Sequence, residues 1–344
     1  MATVPVAAGP PQLSTRDRWA QWARSLVVPW YNALLTACCL AVLLPGGWAV
    51  GVWAVRWARW DVVGANLRLF AVGTYPPAQA WRPLVALVLS VALAAFTGWA
   101  LRRRQRRALW VAVALWLAWP AAVLGLVAPV RTSLWGGLLV TVLLSAGGIV
   151  LSFPLGVLLA LGRRSRLGLV RVVCTAYIEL VRGVPLVSVL FMAQLLLPLF
   201  VPGMRPDKLL RALVGITAFT AAYIAENVRG GLQGVPLGQY EAAYALGLSP
   251  AQALALVVLP QALRAVLPSI AGQFISLLKD TSLVAIMGIL DLLGVARSVL
   301  AHPRWLGRQA EVYLFVGAVY WLLTYSLSRA SRRLERPELH GRVE

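Results

Sequence analysis

Residues 229–250 read Arg229-Gly230-Gly231-Leu232-Gln233-Gly234-Val235-Pro236-Leu237-Gly238-Gln239-Tyr240-Glu241-Ala242-Ala243-Tyr244-Ala245-Leu246-Gly247-Leu248-Ser249-Pro250, and the stretch runs on through Gln252 to Leu259-Pro260. Tyr240, Ala243, Tyr244 and Gly247 recur at helical spacing, which predicts one short helix from about Pro236 to Leu246. Gly247 is placed to end it in the left-handed conformation that a glycine adopts without strain. Ser249 then caps a second helix, with Pro250 at its first position and Gln252 completing a Ser-x-x-Gln box. That helix is expected to stop or kink at Pro260. Two short helices about a tight turn make a rigid knob, suited to passing force to a soluble partner. An amphipathic loop resting on a membrane surface accounts for the same residues equally well.

The chain on either side of this loop is oily. Of 344 residues, 60% are hydrophobic and only 13% charged, with a mean hydropathy of +0.76. Soluble domains are about half apolar and a quarter charged, so an ordinary soluble enzyme, a disordered chain and a disulfide scaffold are excluded. A helical bilayer crossing needs roughly 20 apolar residues. Eight candidates follow: 27–55, 84–101, 109–128, 134–161, 172–201, 210–228, 263–290 (despite Lys279 and Asp280) and 312–327. The fold class is therefore all-α and multi-spanning, with about eight transmembrane helices. Residues 57–83, carrying Asp61, Asn66 and Trp81, are expected to form a loop at the outer surface.

Lys and Arg number 32 against 12 Asp and Glu, a net charge of +20. The arginines sit in short clusters between apolar runs, above all Arg102, Arg103, Arg104, Arg106 and Arg107. That is where topology determinants beside anionic lipid belong, and no nucleic-acid-binding signature accompanies them. With the N-terminus inside, the inner segments hold 19 basic residues and the outer ones 11, which places both termini in the cytoplasm. Residues 1–26 read as a polar cytoplasmic start without a signal-peptide cleavage site, and 329–344 as a cytoplasmic tail. Cys38, Cys39, Cys174, His302 and His340 show no metal-binding or disulfide spacing.

At this point the loop resembles something more specific. Glu241-Ala242-Ala243, Gly247, Val257 and Leu259-Pro260 resemble the EAA loop of ABC importer permeases, with Val257 where that family has Ile. Gly238-Gln239, Pro260-Gln261-Ala262, Arg182-Gly183-Val184-Pro185-Leu186 and Lys279-Asp280-Thr281-Ser282-Leu283 match the polar amino-acid uptake branch. Val184 replaces the Thr usual there. The likeness covers about Trp135 to Ser328. The three additional helices within 27–128 resemble the larger permease of general L-amino-acid importers. The resemblance implies a five-helix permease core over 134–328, with its loop at 229–260. It also implies an inner-membrane subunit translocating amino acids, an ATPase dimer docked at Glu241, Ala242, Ala243, Gly247 and Pro260, a second homologous permease forming a heterodimer, and a soluble amino-acid-binding protein outside. ATP and Mg would bind the partner ATPase. This chain has only Lys208 and Lys279, followed by Leu209 and Asp280, so it carries no Gly-rich phosphate loop ending in Lys-Ser or Lys-Thr. An ion-coupled secondary transporter or channel, acting without an ATPase, is the alternative class. An intramembrane enzyme ranks below both, for want of a catalytic constellation.

Ionisable residues in a bilayer are costly and mark functional candidates. Glu179-Leu180-Val181-Arg182-Gly183 and Glu226-Asn227-Val228-Arg229-Gly230 repeat one pattern, and each spacing allows an ion pair within its own helix. Such pairs either anchor helix ends or line the substrate path. Lys279, Asp280, Thr281 and Ser282 lie deep in the seventh apolar stretch. They could match the carboxylate and ammonium of an amino acid, or join helices to one another.

Overall fold

The computed structural model describes residue 19 and residues 28–103, 105–200 and 206–335. The chain divides into two units at Trp60 and Asp61. In the first unit, helix α1 (Trp30–Val52) passes into a π-helical turn, Trp53–Trp57. The Trp60 indole N–H closes that turn on the Ala54 carbonyl at 2.8 Å. The polar start expected at 1–26 lies outside the described residues, apart from Trp19.

The second unit is built on α5 (Gly137–Arg163) and α8 (Lys208–Gly234). Lipid offers helices no hydrophobic drive to associate, so close packing of small residues supplies it. At Gly156 the approach is tight: a Cβ there would lie 2.6 Å from Ile224 Cγ2 and 2.9 Å from the Ala221 carbonyl oxygen. Around this pair stand α6 (Gly168–Arg182), α7 (Leu186–Phe200) and α10 (Leu259–Asp280). The knob helix α9 (Leu237–Ala245) follows α8 directly. A hairpin of α3 (Trp81–Arg103) and α4 (Arg106–Val127) packs beside α5, joined by indole bonds from Trp119 to Ser90 (2.9 Å) and Trp116 to Thr97 (3.1 Å).

At the end of α5 away from the knob lie α2 (Asp61–Val72), α11 (Leu292–Leu300) and the start of α12 (Gln309–Glu335). Val62, Val63 and Phe70 of α2 pack with Leu292, Val295, Val299 and Val312 in one buried cluster. The expected outer loop at 57–83 is therefore largely structured: its apolar residues at 62, 63, 70 and 72 are buried along α2, the first three in this cluster and Val72 against the main core. A count of apolar residues per window missed α2 because it is too short and too mixed to cross a bilayer. Of the expected tail at 329–344, residues through Glu335 continue α12 as helix; the residues beyond lie outside those described.

Among the described residues, seven helices are long and apolar enough to cross a membrane, or eight if one bent pair counts as a span. That pair corrects the expectation of a continuous fifth crossing at 172–201. Its helices α6 and α7 meet at 115° across Gly183-Val184-Pro185. Pro185 has no N–H and its ring excludes a continuing helix, so the chain turns and restarts with the Pro185 carbonyl accepting from Ser188 and Val189.

Gly137 begins α5 with φ +62°, and a Cβ there would meet the Phe70 carbonyl oxygen at 2.2 Å. We expect Gly137→Ala to cost about 2 kcal/mol or more, from left-handed strain and displacement of α2. Gly125→Ala, in open space on α4, serves as the control and should be neutral. Thermal unfolding of the two variants in detergent measures the difference; equal midpoints would contradict the packing described.

Candidate functional site

The knob forms as its local chemistry dictates. Gly247 sits at φ +78°, with its N–H on the Tyr244 carbonyl (2.9 Å) and the Leu248 N–H on the Ala243 carbonyl (3.1 Å). This pair of bonds is the left-handed helix stop that glycine favours. Ser249 and Gln252 form the reciprocal box, at 2.9 Å and 3.4 Å. Of the two outcomes expected at Pro260, a stop is not observed: the helix continues past it. A π-helical stretch, Ala253–Val258, absorbs the hydrogen bond that proline cannot make and runs straight into α10. Pro260 then occupies the first turn of α10, where its missing N–H costs little. The Gln261 amide donates to Gln239 (2.9 Å) and to the Val257 carbonyl (2.9 Å), tying α9 to α10.

Of the residues expected to meet an ATPase, Glu241, Ala242, Gly247 and Pro260 are exposed. Ala243 is not: it is 2% exposed, and the knob's Tyr240 packs against the buried cluster around Ile224 and Val228. Leu237 and Leu246 are exposed apolar side chains of the knob that the sequence reading did not single out.

Behind the knob, Arg163, Glu179, Arg182, Glu226 and Arg229 gather from α5, α6 and α8. Arg163 bridges Glu179 at 2.8 Å and Glu226 at 3.3 Å, and Arg182 reaches Glu226 at 3.5 Å. Glu226 also pairs with Arg229 one turn on, as the spacing predicts. The matching pair Glu179–Arg182 is not observed: Arg182 instead turns to Glu226 and stacks its guanidinium over the Tyr223 ring at 5.6 Å. Arg163 was absent from the sequence candidates. Its basic position in the last turn of α5 was a visible signal, but its partners lie on other helices.

Lys279 and Asp280 close α10, and Thr281–Met287 continues as a 3₁₀ helix. Lys279 is exposed, Asp280 half-buried and Thr281 fully buried, with its hydroxyl donating to the Leu278 carbonyl at 2.8 Å. Twenty residues of helix separate Leu259 from Lys279, on the order of 30 Å. The seven residues proposed to line one path, Glu179, Arg182, Glu226 and Lys279 to Ser282, therefore divide between the two ends of α10. An open groove along α6, α7 and α8 is lined by apolar residues, among them Leu180, Val184, Met192, Leu196 and Phe200. Among the described residues, no group of three or more His, Cys, Asp or Glu side chains is placed to hold a metal ion.

A further polar node was not foreseen. Asp291 is fully buried and caps α11, accepting from Leu293 (3.2 Å) and Gly294 (2.8 Å), and from the Tyr320 hydroxyl of α12 (3.1 Å). Thr141 of α5 accepts from the Leu292 N–H at 3.1 Å. Burial pushes the Asp291 carboxyl up to about 6, against the lowering pull of its backbone bonds.

The pattern shared by the family described as "Binding-protein-dependent transport system inner membrane component" matches residues 152–337. The chain belongs to that family. It is 38% identical to the inner membrane amino-acid ABC transporter permease protein YhdY of Escherichia coli (strain K12), over 97% of this chain and 96% of the relative. It is 36% identical to the glutamate/glutamine/aspartate/asparagine transport system permease protein BztC of Rhodobacter capsulatus, over 92% and 87%. A crystal structure of an amino acid ABC transporter with histidines superposes with a TM-score of 0.52 at 31% identity, over 58% of this chain and 91% of that one. The permease core is thus shared with a shorter solved relative, while YhdY matches nearly the whole length. This chain is a membrane transport component, of the ABC importer permease fold.

The raised carboxyl gives a pH test. A group whose folded pKa lies above its unfolded 3.8 favours the native state below about pH 4, and that contribution fades as pH rises through about 6. The loss amounts to about 3 kcal/mol. Asp291→Asn keeps a capping side chain but no titration, so its thermal stability relative to wild type should rise between pH 4 and 7. Parallel stability curves would contradict this.

Proposed function

We propose that this permease carries polar or general L-amino acids across the bacterial cytoplasmic membrane, driven by ATP hydrolysis in a separate chain. The observation that carries the reading is the knob: an elbow at Gly247, exposed at its tip and continuous through α10 to the change from α- to 3₁₀-helix at Asp280-Thr281. A displacement of the elbow has no slack loop in which to dissipate. The names of YhdY and BztC support an amino-acid substrate, and the length of the YhdY match supports the larger, extended type of permease.

In this reading an ATPase dimer, which holds ATP and Mg, docks at the knob in the cytoplasm. A second, similar permease completes a heterodimer. A soluble amino-acid-binding protein delivers substrate at the other end, near α2 and α11. Both termini are cytoplasmic, and the basic residues between 102 and 107 belong on the same side, beside anionic lipid. Glu241, Ala242, Gly247 and Pro260 contact the ATPase, and Ala243 positions them. Lys279, Asp280, Thr281 and Ser282 border the substrate path, where α10 passes from an α-helix into a 3₁₀ helix. Asp280 and the negative end of α10 suit an ammonium group, and Lys279 suits a carboxylate.

The test is co-purification followed by uptake of radiolabelled L-amino acids into proteoliposomes. Gly247→Val forces a β-branched residue into the left-handed region and should cut ATPase co-purification about tenfold or more, leaving the permease in the membrane. Lys279→Ala with Asp280→Ala should keep assembly and lose uptake. Undiminished ATPase capture by the first variant, or normal uptake by the second, refutes the corresponding assignment. ATP-independent uptake by the chain alone would favour a secondary transporter.

A further inference from the structure

The charge cluster behind the knob has a construction that a static anchor does not need. Three guanidinium groups share two carboxylates, and Glu226 is the hub. Its Oε2 takes Arg163 and Arg182 from other helices, while Oε1 takes Arg229 from its own. If α5 or α6 withdraws, Glu226 keeps a partner one turn along α8 and no charge is stranded. The other groups are similarly provided for. The Glu179 side chain is 57% exposed and can be solvated, and when α5 alone withdraws Arg182 keeps both Glu226 and the Tyr223 ring. Arg229 further donates to Gln233 at 2.8 Å, so the hub is braced toward the knob side of α8. From Glu226 the helix runs unbroken to Gly234, about 12 Å, and α9 begins three residues later. Only the extended Val235-Pro236 link separates the knob from the helix that carries Glu226.

We propose that Arg163 and Glu226 form a clasp that joins α5 to α8 in one state of the transport cycle and parts in the other, coupling ATP hydrolysis to helix movement. Arg163 is a positioning residue: it biases which arrangement of the helices is populated and touches neither nucleotide nor substrate. A clasp with this role suppresses hydrolysis that is not accompanied by transport. It predicts that loss of the bridge leaves the machine running but uncoupled.

The inference rests on the importer reading, and the experiment separates the two. The complete complex is reconstituted in proteoliposomes, and ATP hydrolysed per amino acid taken up is measured for wild type and for Arg163→Lys, Arg163→Gln and the charge-balanced Arg163→Gln with Glu179→Gln. A wild-type complex without ATP-dependent uptake would sink the importer reading itself. Given a working wild type, both Gln variants should raise the ratio about fivefold or more, with hydrolysis persisting without the binding protein. Arg163→Lys, which keeps the charge, should stay within about twofold of wild type. A purely structural role predicts that uptake and hydrolysis fall together with the amount of assembled complex, at constant ratio. That result, or an unchanged ratio in the balanced double variant, overturns the clasp.

Discussion

The close approach of α5 and α8 is the constraint on which the other contacts depend. At Gly156 the helices leave no room for a methyl group, and this fixes both their separation and their parallel course. Because they run in the same direction, the last turn of α5 brings Arg163 beside Glu226, near the knob. The first turn of α5 brings Gly137 and Thr141 beside Leu290, Asp291 and Leu292, at the opposite end. One packed pair thus aligns a breakable ionic contact at one end with a buried, hydrogen-bonded carboxylate at the other.

The two polar nodes differ in kind. The arginine cluster is partly exposed, and exposed ion pairs contribute only about 0–1 kcal/mol each, which suits contacts that exchange during a cycle. Asp291 is enclosed, and a buried carboxylate is tolerated only where its lone pairs are taken up; here two backbone N–H groups and a tyrosine hydroxyl do so. It behaves as a rivet holding α11 to α5 and α12. The Tyr320 hydroxyl also interacts with Thr281, so the rivet adjoins the interrupted helix proposed to border the path.

Local chemistry was legible in the sequence. Gly247, Ser249 and Gln252 specify the elbow through bonds that span no more than five residues, and spacing alone found them. What depended on direction or on distant partners was not legible. The Gly183-Val184-Pro185 break was visible, but a hydropathy run measures length and is blind to a turn of 115°. Glu179 and Arg182 stand at pairing distance in sequence, yet Glu226 on α8 outcompetes Glu179 for Arg182 once the helices pack. Asp291 was hidden at the edge of an apolar run, although an Asp directly before Leu-Leu-Gly is an ordinary helix-start signal.

The account depends most on which way the knob faces, and side-specific labelling measures that directly. In a background with Cys38, Cys39 and Cys174 replaced by Ser, single cysteines at Ser249 and His302 are exposed to a membrane-impermeant maleimide. The account predicts that Ser249→Cys reacts only in inverted vesicles and His302→Cys only in intact spheroplasts. Labelling of Ser249→Cys from outside intact spheroplasts would contradict it.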